Sequence, residues 1–411
     1  MSRAAIVTLF GALGMGLASL WLSVQTAATP VDPRVSDAAV PSVPPVRVLL
    51  RGGSKESFQI RVAGPYRIVP PSDWRILAQG ESLEASEVVA TSDGIQIGGR
   101  SFSLDRVMVV PISPEGLWLD DRRYRGRLLL VRRDEDRISA INVVSLDDYL
   151  ASVINGEMPE DFPPAAREAQ IIAARTYTLY QLKTFGSDHD YDVHDNARSQ
   201  MYRGIEFRDE AGRPLLAETA VSRQLAQATH GIVLLYQGRI FCSYYSAVCG
   251  GHSLDGRAVF RDATPPLVGV ACDDCRDAVN YRWERSIDRA TFHARVNDYL
   301  AEQGENLGTL VSVEVDEQAA GDLPKVTLTG SDGSLVISTD TLRRFVLKVE
   351  ALPSAMFTIE ADAGAVLIKG RGWGHGVGLC QWGARHQANT GRTSAEILRH
   401  YYPNTTLGWV R

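Results

Sequence analysis

A lone glutamate stands at the junction of two helix patterns, in the run Asn155-Gly156-Glu157-Met158-Pro159, and this junction restricts what the chain can fold into. The first pattern covers Ser145 to Ile154 and opens with a capping-box spacing, Ser145-x-x-Asp148. The second begins at Pro163-Pro164, where a missing N–H costs least, and runs to about Lys183. Its small or apolar residues Ala165, Ala169, Ile172, Thr176 and Leu179 follow the i, i+3/i+4 spacing of a packed helix. Between two such helices Glu157 is expected on a Gly/Pro-punctuated turn. A carboxyl group on a rigid connection is held in one pose, as proton transfer requires. The plainer alternative is a solvated turn residue.

The rest of the chain reads as α+β, β-rich with several packed helices. Arg3 precedes an uncharged stretch, Ala4 to Thr29, that fits either a cleaved secretory signal or a retained membrane anchor over residues 1–29. Both place the remainder outside the cytoplasm, in the cell envelope, where cysteines can pair. Residues 30–45, rich in Pro, Ala, Ser and Val, read as an extended tether. Short alternating segments then follow at Val46–Leu50, Phe58–Val62, Tyr66–Val69, Val107–Pro111 and Arg127–Val131, giving an N-terminal β subdomain over 46–137. A core is expected over 138–411. It starts with a strand at Ile138–Val144 and has further helices at Leu215–Thr229, about Asp288–Gln303, and from Thr393 to before Pro403. A net charge of -6 argues against a general nucleic-acid partner.

Three segments carry unusual composition. One is Asn155–Pro159 with Ala173-Ala174-Arg175-Thr176-Tyr177, and another is Ser199-Gln200-Met201-Tyr202-Arg203-Gly204. The third, Gly370 to Ala384, places glycines around Trp373, His375, Gln381 and Trp382. Flat aromatic faces with interleaved amide and imidazole groups suit a sugar, and a tight β-arch with core tryptophans accounts for them equally well.

In content and order, Gly156-Glu157-Met158-Pro159, Gln170 to Tyr177, Ser199-Gln200-x-Tyr202-x-Gly204, Gly250-Gly251 and Gly370–Ala384 resemble the stage II sporulation protein D (SpoIID/LytB) family. The resemblance covers about residues 138–411, and the combination is far more specific than any one motif. It implies a peptidoglycan lytic transglycosylase acting on peptide-stripped glycan strands, with Glu157 as the single catalytic acid and base. Arg175, Tyr177, Gln200 and Tyr202 fall on motif positions. With Trp373, His375 and Gln381 they are the candidate substrate-binding residues. A non-enzymatic member would instead bind wall glycan and stimulate a cell-wall amidase. Sporulation, division and wall turnover are all open as settings.

Cys249-x-x-His252 and Cys272-x-x-Cys275 form two short clips about twenty residues apart, a spacing that suits structural zinc. Disulfides joining Cys272 or Cys275 to Cys249 or Cys242 are the alternative in an exported chain. Cys242 and Cys380 read as buried thiols outside the metal set. No metal is required for the glutamate chemistry.

Overall fold

The computed structural model describes residues 43–186, 189–316, 321–349, 351–362 and 364–410. The expected leader over 1–29 and all but the end of the tether lie outside them. Helices and strands are mixed throughout, so the protein is α+β. The described helices are Leu146–Glu157 (α1), Pro164–Phe185 (α2), Ala220–Ala228 (α3), Arg289–Gln303 (α4), Thr339–Thr341 (α5), Gln381–Asn389 (α6) and Ser394–Tyr401 (α7). Among the described residues no helix is long and apolar enough to cross a membrane.

Two large sheets frame the first part. A seven-stranded sheet runs in the order 193–194, 46–55, 138–144, 127–132, 106–111, 66–69, 78–80. Val46–Lys55 pairs with Ile138–Val144, so strands on either side of residue 137 belong to one sheet. Every residue of Ile138–Val144 is buried, because both faces of that strand are covered. Ile138, Ala140 and Val144 join the main core, while Ile141 and Val143 pack with Leu49, Met108 and Leu129 on the other side. An eight-stranded sheet contributes Phe58, Ile60, Val88, Ile95 and Leu119 to the same main core.

Helix α2 runs through the middle of that core. The sequence suggests an apolar stripe, but Ala166, Arg167, Gln170, Ala173, Ala174, Arg175 and Tyr177 are buried as well as Ala169, Ile172, Thr176 and Leu179. The helix is covered nearly all round, by α1, α6, α7 and the strand Ile232–Tyr236. Such a helix needs small residues where neighbours come close and satisfied polar groups elsewhere. Thr176 and Thr178 meet the second need by donating to the carbonyls of Ile172 and Ala174, at 2.8 and 2.9 Å.

Some helices differ from those read in the sequence. The expected helix at Leu215–Thr229 starts only at Ala220. Thr219 caps it, while Pro214–Leu216 forms an edge strand against Glu206–Arg208. The glycine-rich stretch turns into α6 at Gln381, with Cys380 as its N-cap. Ser145 caps α1 by accepting from the Asp148 N–H without the reciprocal bond, and the full capping box of α7 forms at Thr393, where its spacing predicts it.

Residues 282–371 hold a second, separate core. Trp283, Phe292, Val296, Val326, Leu328, Leu342, Val366 and Ile368 fill it, between α4 and two three-stranded sheets. Gly370 is required here, because a Cβ at that position would lie 2.1 Å from the Trp283 ring. This unit separates the loop bearing Cys249–Cys275 from the glycine-rich segment that folds back onto it.

Candidate active site

Glu157 is the last residue of α1 rather than part of a turn. Gly156 does not break the helix. It clears space, since a Cβ there would sit 2.3 Å from the Met201 carbonyl oxygen. The 199–204 segment therefore lies directly against the end of α1, and the Met201 N–H donates to Glu157 Oε1 at 2.6 Å.

The neighbours of Met201 explain how that N–H is held. Gln200 is fully buried. Its Oε1 accepts from the Tyr149 hydroxyl at 2.9 Å and lies 2.8 Å from the Thr178 hydroxyl oxygen, and its Nε2 donates to the Ala174 carbonyl at 3.3 Å. Tyr202 is also buried and donates to Asn142 Oδ1 at 2.6 Å, with its ring against Tyr149 and Tyr124. These two side chains have protein partners for their polar atoms, which corrects their reading as sugar contacts. They anchor the loop that presents Met201 to Glu157.

Arg175 is corrected in the same way. It is 1% exposed, pairs with Asp147 at 2.6 Å, and donates to the Ala226 carbonyl at 3.1 Å and the Thr229 hydroxyl at 3.3 Å. It ties α2 to the start of α1 and the end of α3. Tyr177 is buried, edge-on to Tyr244, and its pKa is raised chiefly by burial.

Burial also raises the pKa of Glu157, and no neighbouring carboxylate is needed to account for it. The Met201 N–H, Tyr245 and Gln381 pull in the opposite direction by favouring the charged form. Tyr245 brings a buried hydroxyl to the carboxyl group, and the Gln170 Nε2 amide is buried without a hydrogen-bond partner among the described residues. Gln381 Nε2 donates to Gln170 Oε1 at 3.5 Å. Thus Glu157 lies beside Tyr245 and Gln381, with Gln170 one contact further on. Tyr245 was not singled out in the sequence, and Gln170 appeared only as the start of the Gln170–Tyr177 motif, with no role of its own. Only the fold turns both toward the glutamate.

The glycine-rich segment reaches this site by lying along residues 244–249. Tyr245–Ser246 pairs with Leu379–Cys380, and Val248 and Trp373 exchange backbone bonds at 3.0 and 2.7 Å. Gly378 has φ of +73°, and a Cβ there would sit 1.9 Å from the Tyr244 carbonyl oxygen. Gly378→Ala is expected to cost about 2 kcal/mol or more, read as a lower urea midpoint, and to lower any Glu157-dependent activity with it. Of the three residues marked on this segment, Gln381 reaches Glu157. His375 is held neutral with a pKa lowered to about 4, first by burial and then by Arg343. Its Nδ1 accepts from the Val377 N–H at 3.1 Å, and its ring packs edge-on to Phe260 and Tyr244. Trp373 is 40% exposed.

Among the cysteines the fourth partner is Cys380, not His252. The thiols of Cys249, Cys272, Cys275 and Cys380 are buried with their sulfurs all within 4.8 Å of one another, a set that can hold a metal ion. Gly250 and Gly251, at φ of +81° and +108°, turn the chain so that His252 leaves the cluster. Its Nδ1–H donates to the Ser253 carbonyl at 2.7 Å, and its ring packs beside Gly269 and Gly321. None of the five cysteines is in a disulfide.

Comparison with known proteins adds relatives to this geometry. Residues 134–236, which carry α1, α2 and the Met201 loop, match the family described as stage II sporulation protein (SpoIID). Residues 272–378, which include the second core, match a domain of unknown function (DUF8618). An uncharacterized protein of Brachyspira hyodysenteriae is 28% identical over 85% of this chain and 89% of its own length. Stage II sporulation protein D of Bacillus amyloliquefaciens is 24% identical over 65% of the chain and 75% of its own length. The amidase enhancer of Bacillus subtilis is 24% identical over 63% of the chain but only 40% of its own length. Residues 134–236, which hold Glu157 and the loop bonded to it, therefore match the stage II sporulation protein D family, and the wider chain is similar to proteins of that name.

Proposed function

We propose that this protein acts outside the cytoplasm on the cell wall, cleaving peptide-stripped peptidoglycan glycan strands with Glu157 as the only acid and base. The observation that carries this reading is a carboxyl group at a helix end, its pKa raised by burial, with one oxygen fixed by the Met201 N–H. The protonated acid donates to the glycosidic oxygen between N-acetylmuramic acid and N-acetylglucosamine as the C1–O bond breaks. The resulting carboxylate then takes the proton of the muramic C6 hydroxyl while that oxygen bonds to C1. The product carries a 1,6-anhydro end, and no water is activated, so the second carboxylate of ordinary glycosidases is unnecessary. Tyr245 and Gln381, beside the carboxyl group, help hold it in one pose. The exposed part of Trp373 supplies a surface for a sugar ring.

A second reading, in which the protein binds glycan and stimulates a separate amidase, is supported by the relative named amidase enhancer. Incubating the purified protein with peptide-free glycan strands and looking for anhydro ends by mass spectrometry separates the two. The enzyme produces them alone, whereas the binder produces none and accelerates peptide release only when an amidase is added.

The pH profile is a further test. The proton donor must be neutral, so activity falls as pH rises through the folded-state pKa of Glu157. Because that pKa is raised, the falling limb of kcat/KM is expected at a pH above 4.5, the ordinary glutamate value. A limb at or below the ordinary value would remove burial from the mechanism.

A further inference from the structure

We propose that Cys249, Cys272, Cys275 and Cys380 bind one zinc ion through four thiolates, and that this ion braces the segment carrying Gln381. The four sulfurs come from three places far apart in the chain. Cys272 and Cys275 flank a single 3-10 turn, Cys249 follows the Val248–Trp373 bridge, and Cys380 caps α6. All four are buried, and every sulfur lies within 4.8 Å of every other. Two disulfides would require only two close pairs, so mutual closeness of all four marks a common centre.

The spacing also discriminates between metal groups. Zinc–sulfur bonds of about 2.3 Å in a tetrahedron set neighbouring sulfurs about 3.8 Å apart. Cys249 and Cys275 sulfurs stand 3.6 Å apart. A four-iron cluster has to fit inside its thiolates and would spread them further.

Two of the four sulfurs are met by hydrogen-bond donors. Cys380 Sγ accepts from the backbone N–H groups of Cys249 at 3.3 Å and Gly383 at 3.4 Å. The Tyr401 hydroxyl lies 3.1 Å from Cys272 Sγ and can donate to it. Bonds of this kind orient metal ligands from outside the first layer. Gly383 preserves the space, since a Cβ there would meet the Tyr401 oxygen at 2.1 Å and Cys272 Sγ at 2.6 Å. With four protein ligands the ion has no open position and acts as a brace, not as a Lewis acid. Cys242 stands outside the set, its sulfur accepting from Gln181 Nε2 at 3.5 Å.

The proposal does not depend on glycan cleavage, and its test uses no glycan. Elemental analysis of the purified full chain should give one zinc per chain. After denaturation with a chelator, all five thiols should react with a colorimetric thiol reagent. Treating the native protein with a strong chelator should release the zinc and lower Tm, and adding zinc back should restore it. Cobalt exchanged into the site should give the visible bands of a tetrahedral four-thiolate complex. Cys242→Ser should retain the metal in full. Cys275→Ser should lose it or, if that variant does not fold, the chelator and cobalt measurements on the unaltered protein still decide. Only one reactive thiol without metal would mean two disulfides and overturn the proposal. Five free thiols without metal, or iron in place of zinc, would overturn it too.

Discussion

Glu157→Gln is expected to lower anhydro-end formation from peptide-free glycan strands by about 10³-fold while leaving the fold unchanged. The amide has the shape of the carboxyl group, and its oxygen can still accept from the Met201 N–H, which now stands 2.6 Å from Glu157 Oε1. It has no proton to give at the glycosidic oxygen and cannot take one from the C6 hydroxyl, so both halves of the reaction fail together. Stability should not suffer. The native site raises the carboxyl pKa, meaning that burial disfavours the charged form, and the glutamine removes that charge. Tm at neutral pH is therefore expected to stay level or rise, and glycan binding to remain measurable by sedimentation with wall material. Activity equal to that of the unaltered protein would remove Glu157 from the chemistry. A silent unaltered protein that still accelerates an amidase would shift the assignment to the binding role.

The second large effect is structural. Asp147→Ala is expected to destabilise the protein by about 3 kcal/mol, read as a lower urea midpoint with an unchanged slope. Arg175 is 1% exposed, and its pKa is lowered by burial and supported by Asp147. Asp147 accepts from it at 2.6 Å and from His230 at 2.5 Å. Removing the carboxylate leaves a guanidinium deep in the core with only the Ala226 carbonyl and the Thr229 hydroxyl as partners. Breaking one side of a buried pair costs far more than the net worth of the pair, because the remaining charge stays desolvated. Asp147 is itself 29% exposed in its side chain, so water can partly offset the loss, which sets the figure at the lower end of the usual range. If Asp147→Ala left the midpoint unchanged but weakened glycan binding, Arg175 would return to the role of a substrate contact.

Local chemistry made much of the fold legible. Ser145 and Thr393 cap their helices as their spacing predicts, because a hydroxyl and an N–H three residues on can meet without help from the rest of the chain. Pro164 begins α2 for an equally local reason, and the strand Ser57–Val62 follows the alternation of its residues. The candidate glutamate and its loop were legible too, through motif content and order. The roles of the surrounding residues were not. Gln200, Tyr202 and Arg175 look like binding groups in a one-dimensional list, since polar residues in a motif do not reveal which way they point.

By itself, then, the sequence determined where most helices and strands lie, the family it resembles, and the candidate carboxyl group. Only the tertiary structure decided that Gly156 admits the Met201 loop instead of ending a helix, that Tyr245 and Gln381 meet at Glu157, and that Cys380 replaces His252 in the sulfur cluster. The reason is physical. Caps and periodicity depend on neighbours three or four residues away, whereas burial, raised pKa values and shared ligands arise between segments as far apart as Gln170 and Gln381, which meet only after the chain has packed.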